Sequence, residues 1–104
     1  MHYEVSKCDS TMRYEYTFDD NISCVFSVEK VGIIHFKSKE KIKIEYLCEA
    51  LKEVSNITSE RGLIPKMDIK NSNHFLQELV ERAGFEKIPS RGISFSVWVR
   101  HRNK

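Results

Sequence analysis

The side chains able to do chemistry lie scattered along this chain of 104 residues. His2, His35, His74 and His101 form no His-x3-His pair, and no Cys-x2-Cys pair accompanies them, so the spacings that hold a transition metal are missing. Cys8, Cys24 and Cys48 are odd in number and far apart, which is neither a disulfide framework nor a zinc set; reduced thiols are the expectation. A nucleophilic Cys48 would need an exposed, electropositive setting, whereas its place on an apolar helical stripe argues for burial. Asp19-Asp20 has the form of a paired carboxylate, yet beside Asn21 it reads as turn chemistry. His35 is expected to serve a strand structurally rather than as a catalytic base, and His74 to be exposed in the first turn of a helix. No catalytic residue and no metal site emerges.

Charge carries more information than any of these groups. The net charge is only +2, but it is graded: residues 1–36 are acidic on balance, residues 37–81 cancel, and residues 82–104 are basic, with Glu86 the lone acid. Such a gradient can steer a charged partner. Arg91, Arg100, Arg102 and Lys104 gather near Trp98. Cations beside an exposed aromatic can stack a base and touch phosphate, and Trp and Arg are also the types enriched at protein–protein hot spots. The expected partner-binding residues are therefore Trp98, Arg100, Arg102 and Arg91, with a protein as the first partner class and a nucleic acid as the second.

Those residues need a scaffold. A mass of 12.2 kDa with 40% hydrophobic and 11% aromatic residues is ordinary composition for a single domain, residues 1–104. No apolar stretch nears the roughly 18 to 20 residues that span a bilayer, and the N-terminus lacks the basic-then-apolar pattern of a signal peptide. A cytoplasmic protein without membrane contact is expected.

Period-2 alternation of Met12, Tyr14, Tyr16 and Phe18, then of Ile22, Cys24, Phe26 and Val28, predicts two half-buried strands joined by a turn at Asp19-Asp20-Asn21. A third strand is expected over residues 32–36 and a short edge strand over 3–6. The period then lengthens: Ile44, Leu47, Cys48, Leu51 and Val54 share one face of a helix over residues 40–56, with Asn56 and Gly62 flanking its end. Residues 63–69 read as a strand kept near an edge or start by Pro65. A second helix begins at an N-cap Ser72 or Asn73, buries Phe75, Leu76, Leu79, Val80 and Ala83, and ends at Gly84. Residues 85–88 and 93–99 close the chain, with Ile93, Phe95, Val97 and Val99 inward and Ser94, Ser96, Trp98 and Arg100 outward. The fold class is α+β: a mostly antiparallel mixed sheet with two helices, in the order β-β-β-α-β-α-β-β, preceded by the short edge strand. The crossover through the first helix allows one parallel pair, which tends to splay into a cleft by that helix's N-terminus.

The run Lys66-Met67-Asp68-Ile69-Lys70-Asn71-Ser72-Asn73, then Glu81-Arg82-Ala83-Gly84-Phe85-Glu86-Lys87-Ile88 at the end of a helix, resembles the C-terminal half of a GNAT-type N-acetyltransferase. The motif likeness covers residues 66–88, and the element order is similar over residues 12–100. The resemblance implies an acetyltransferase-like fold and an acyl-CoA pyrophosphate held by a glycine-rich basic loop before the crossover helix. Here that loop reads Lys37-Ser38-Lys39-Glu40-Lys41-Ile42-Lys43, basic but without glycine. If acetyl-CoA binds, Lys39, Lys41 and the helix N-terminus would hold it. The general-acid tyrosine of many members falls at Val80, and the long N-terminal helical segment that shapes the acceptor site is missing. The leading expectation is a non-catalytic acetyltransferase-like protein without a cofactor. It would bind a protein partner as an accessory inhibitor or regulator of the kind phages and mobile elements encode. An acyl-CoA-dependent N-acyltransferase and a nucleic-acid-binding module using the basic C-terminal strand are the alternatives. Nothing in the sequence specifies an oligomeric state.

Overall fold

The computed structural model describes residues 2–8, 11–18, 23–38, 41–88 and 94–101, with side chains from Thr11 onward. Asp19, Asp20, Asn21, Ile22, Lys39, Glu40, Arg91, Ile93, Arg102 and Lys104, all singled out above, lie outside the described residues. The elements are β1 (His2–Cys8), β2 (Thr11–Thr17), β3 (Ser23–Val28), β4 (Ile34–Ser38), α1 (Ile44–Glu60), β5 (Lys66–Lys70), α2 (His74–Arg82), β6 (Glu86–Ile88) and β7 (Phe95–Val99). Their order is the expected one.

The alternation of β2 and β3 fixes which face they bury. Tyr14, Tyr16 and Phe18 join Cys24, Phe26, Val28 and Ile34 on one side of an antiparallel sheet ordered β1-β2-β3-β4. Tyr14 lies opposite Phe26 and Tyr16 opposite Cys24, and the Tyr16 and Phe26 rings meet edge to face at 5.9 Å. Helix α1 covers this face with Leu47, Cys48, Ala50, Leu51 and Val54. It begins and ends later than its periodicity suggests. Lys43 is still extended (φ −58°, ψ 136°), and the stripe continues through buried Thr58, whose hydroxyl donates to the Val54 carbonyl at 2.8 Å. Asn56 is consequently an exposed residue within the helix rather than its terminus.

The C-terminal strands form a separate antiparallel sheet, ordered β5-β7-β6, beneath α2. Asn73 caps α2 by accepting from the Leu76 N–H at 3.1 Å, and Gly84 leaves it at φ +92°. Leu79, Val80 and Ala83 are buried as expected, but Phe75 is 46% exposed. The face assignment fails at Phe95, Ser96 and Trp98, while Ser94 is exposed and Val99 buried as expected. Ser96 and Trp98 point into the core and Phe95 points out, 48% exposed. Register decides this, because Trp98 pairs with Met67 and Ser96 with Ile69, both buried. The Ser96 hydroxyl donates to Asn71 Oδ1 at 2.6 Å, which lets a polar side chain sit inside.

The expected single mixed sheet is thus divided in two. One parallel bridge, Ile33 with Lys66, links the halves, and the Lys66 N–H donates to the Gly32 carbonyl at 3.0 Å. Gly32 has φ +94°, and a Cβ there would run into the Ile64 carbonyl. Gly62, also left-handed at φ +83°, has open space around it. Gly62→Ala should therefore cost about 1 kcal/mol, the conformational penalty alone, while Gly32→Ala should cost clearly more because the two strands must also part. Equal urea midpoints for the two variants would show that the close approach is not strained by a methyl.

Candidate functional site

Beyond that bridge no ladder joins β4 to β5 among the described residues, and the gap between them is the candidate site. Glu29 donates to the Ile33 carbonyl, so on β4 residues 33, 35 and 37 pair with β3, whereas Ile34, Phe36 and Ser38 turn their N–H and C=O the other way. Arg100 donates to the Pro65 carbonyl and Asn71 to the Ser94 carbonyl, so on β5 residues 65, 67, 69 and 71 face β7. Lys66, Asp68 and Lys70 therefore turn toward β4. Among the described residues, these two strand edges face one another across a wedge that the Ile33–Lys66 bridge closes at its base.

The side chains around the wedge follow from the same register. Both helices lie on one side of the molecule. The other side carries His35 and Lys37 on β4 and Lys66, Asp68 and Lys70 on β5. His35 is exposed, with Nε2 3.3 Å from Glu29 Oε1, an ion pair only when protonated. A shallow depression of about 410 Å³ lined by Thr11, Ser27, Glu29, His35, Phe36 and Lys37 opens on this side.

At the mouth of the wedge, Lys41 is exposed, and Lys43 precedes an α1 whose first turn has no side-chain cap. Lys43 Nζ lies 5.8 Å from the centre of the Tyr46 ring, and that ring stacks on Phe18 at 5.3 Å. Glu45 occupies the first turn of α1, where it complements the helix dipole and opposes an incoming phosphate. Val80, at the position the resemblance gives to a general-acid tyrosine, is fully buried. Among the described residues no three His, Cys, Asp or Glu side chains converge on a point that could hold a metal, and no helix is long and apolar enough to cross a membrane.

The residues expected to bind a partner are dispersed. Trp98 is 6% exposed, and its Nε1–H finds no acceptor among the described residues. Its ring is part of the core and is not offered to a base or a protein. Arg100 is a tie between layers. Its Nη1 donates to Asn56 Oδ1 at 2.6 Å and to the Lys52 carbonyl at 3.4 Å, and its Nε lies 3.4 Å from where a Gly84 Cβ would stand. The exposed apolar side chains of this sheet are instead Phe95 and Ile88, with half-buried Val97 between them in register. Sequence patterning misses them because β7 is apolar on both faces. The free edges at Phe36 and Asp68 are a backbone property and leave no mark in residue type. Cys24 is buried, and that burial pushes its thiol up to about 12, so it is no nucleophile near neutrality.

No protein-family model and no curated protein matches the sequence. Among solved structures the chain is similar to a spermidine N-acetyltransferase, a chimera of SpeG from Vibrio cholerae and hSSAT. The TM-score is 0.62 at 10% identity, over 86% of this chain and 64% of that one. The likeness shows the fold: an α+β, GNAT-like acetyltransferase architecture. The chain spans less than two thirds of that neighbour's length.

Arg100→Ala should lower stability by about 1 kcal/mol through loss of its bonds to α1. Asn56→Ala should cost a similar amount, and the double variant less than the two together. Strict additivity in urea denaturation would show that the two side chains do not act as a pair. Iodoacetamide should leave Cys24 unmodified at pH 8 in the folded protein and alkylate it after unfolding. Because the folded thiol titrates far above the unfolded one, stability should be unaffected by this group below about pH 8.5 and decline above it.

Proposed function

We propose that this chain is a non-catalytic protein of acetyltransferase-like fold that works by binding another protein, as a regulator or inhibitor of it. The observation that carries this reading is the helix-free side of the C-terminal sheet. Phe95 and Ile88, with Val97 between them, form an exposed apolar strip bordered by Lys66, Asp68, Lys70 and Glu86. An apolar centre in a charged rim is the anatomy of a protein interface. The absence of glycine from residues 37–43 and the buried aliphatic side chain of Val80 weigh in the same direction. In this reading the C-terminal strand contacts the partner through Phe95 and Val97 and not through Trp98 and Arg100.

A second reading, an acyl-CoA-dependent N-acyltransferase, is favoured by the splay of β4 and β5 and by the uncapped α1 N-terminus beside Lys41 and Lys43. Lys39, its other expected ligand, lies outside the described residues. A nucleic-acid interface on the same strand would lack the stacking ring of Trp98 and the free guanidinium of Arg100.

Titration with acetyl-CoA should leave the melting temperature unchanged, and no acetyl transfer to amine acceptors should be detectable by mass spectrometry. Stabilisation by micromolar acetyl-CoA would favour the enzyme instead. Phe95→Asp and Ile88→Asp should each abolish cross-linking to a bound protein while shifting the melting temperature by no more than about 2 °C, since both side chains are already exposed.

A further inference from the structure

We infer that the wedge between β4 and β5 receives an extended, acidic segment of the partner protein, which adds a strand that joins the two sheets. This deepens the protein-binding reading and rests on it. On one edge the N–H and C=O of Phe36 point into the gap, and on the other those of Asp68, with no ladder bond between the strands beyond the base. Unpaired strand edges are templates for a further strand, whose main-chain groups supply affinity and whose alternate side chains supply specificity. Here two edges face each other, so a single inserted strand meets donors and acceptors on both of its sides, at the two-residue repeat of its own backbone. A diphosphate offers no such repeat.

Charge selects the kind of segment. Counting up from the bridge, Lys37 and Lys70 stand level with each other on either side of the wedge, and both are exposed on the helix-free side. Lys41 and Lys43 add two exposed ammonium groups at the mouth, against Asp68 one row lower and Glu45 in the first turn of α1. The mouth is therefore cationic on balance, and alternate acidic side chains of an inserted strand meet Lys37 and Lys70.

The test uses the full chain and two eight-residue peptides, one alternating Val with Glu and one alternating Val with Lys, followed by fluorescence anisotropy and amide hydrogen exchange. The acidic peptide should bind saturably and slow exchange at the Phe36 and Asp68 amides, and the basic peptide should do neither. Lys37→Glu combined with Lys70→Glu should weaken acidic-peptide binding at least tenfold without a change in the circular dichroism melting curve. Equal binding of both peptides, or binding that leaves those two amides unprotected, would overturn the inference. If neither the acidic peptide nor acetyl-CoA protects them, the wedge assignment fails while the Phe95 interface stands. If acetyl-CoA protects them and the peptide does not, the protein-binding reading fails with it.

Discussion

The architecture turns on one contact, the parallel bridge at which the Lys66 N–H reaches the Gly32 carbonyl. Everything N-terminal to it is an antiparallel meander with α1 on one face, and everything C-terminal is a three-stranded sheet under α2. The backbones come so close there that no side chain fits at residue 32, and Gly32 also supplies the left-handed turn between β3 and β4. One glycine thus satisfies a turn and a close approach together. Because the strands touch at a single point and then part, the sheet opens toward the N-terminus of α1, and the backbone groups of its two central edges are left facing each other.

That opening does not by itself decide what the protein does. A fold hosts many activities, and activity resides in the groups placed on it. The likeness to a spermidine N-acetyltransferase structure fixes the architecture at 10% identity and says nothing of substrate. The groups set on the scaffold here are lysines around the mouth of the wedge, an acidic first turn on α1, an aliphatic side chain at residue 80 and an apolar strip on the outer face of the C-terminal sheet. The two proposed contact regions, the wedge and the apolar strip, share the side of the molecule that carries no helix. The core reinforces this division. The aromatic rings of β2 and β3 are committed to packing under α1, and Arg100 is committed to holding α1 against the last strand.

Much of this organisation is legible in residue order. The strand-to-helix change of period is visible although α1 starts and ends four residues later than expected, the faces of β2, β3 and α1 are assigned correctly, Asn73 caps α2 and Gly84 ends it. These succeed because each is a local pattern read against one buried face. The failures have a common cause. Residues 95–99 carry apolar side chains on both faces, so alternation gives no sign, and the choice falls to pairing with Met67 and Ile69 and to the Asn71 side chain that receives Ser96. Phe75 has helical spacing but stands in the first turn of α2, where its side chain is exposed, and the buried residues of the helix come later, at Leu79 and Val80. Arg100 is basic and near the terminus, yet its partner Asn56 is 44 residues away in sequence.

Composition and periodicity alone therefore determined the fold class, the order of elements and the absence of glycine from the loop before α1, since these depend on residue type at short range. Only the tertiary structure decided that Trp98 is core, that Phe95 is surface and that two strand edges lie open at Phe36 and Asp68. Burial and hydrogen bonding at those positions are set by neighbours that the chain brings together only when it folds, and a free backbone edge is the same in every residue type.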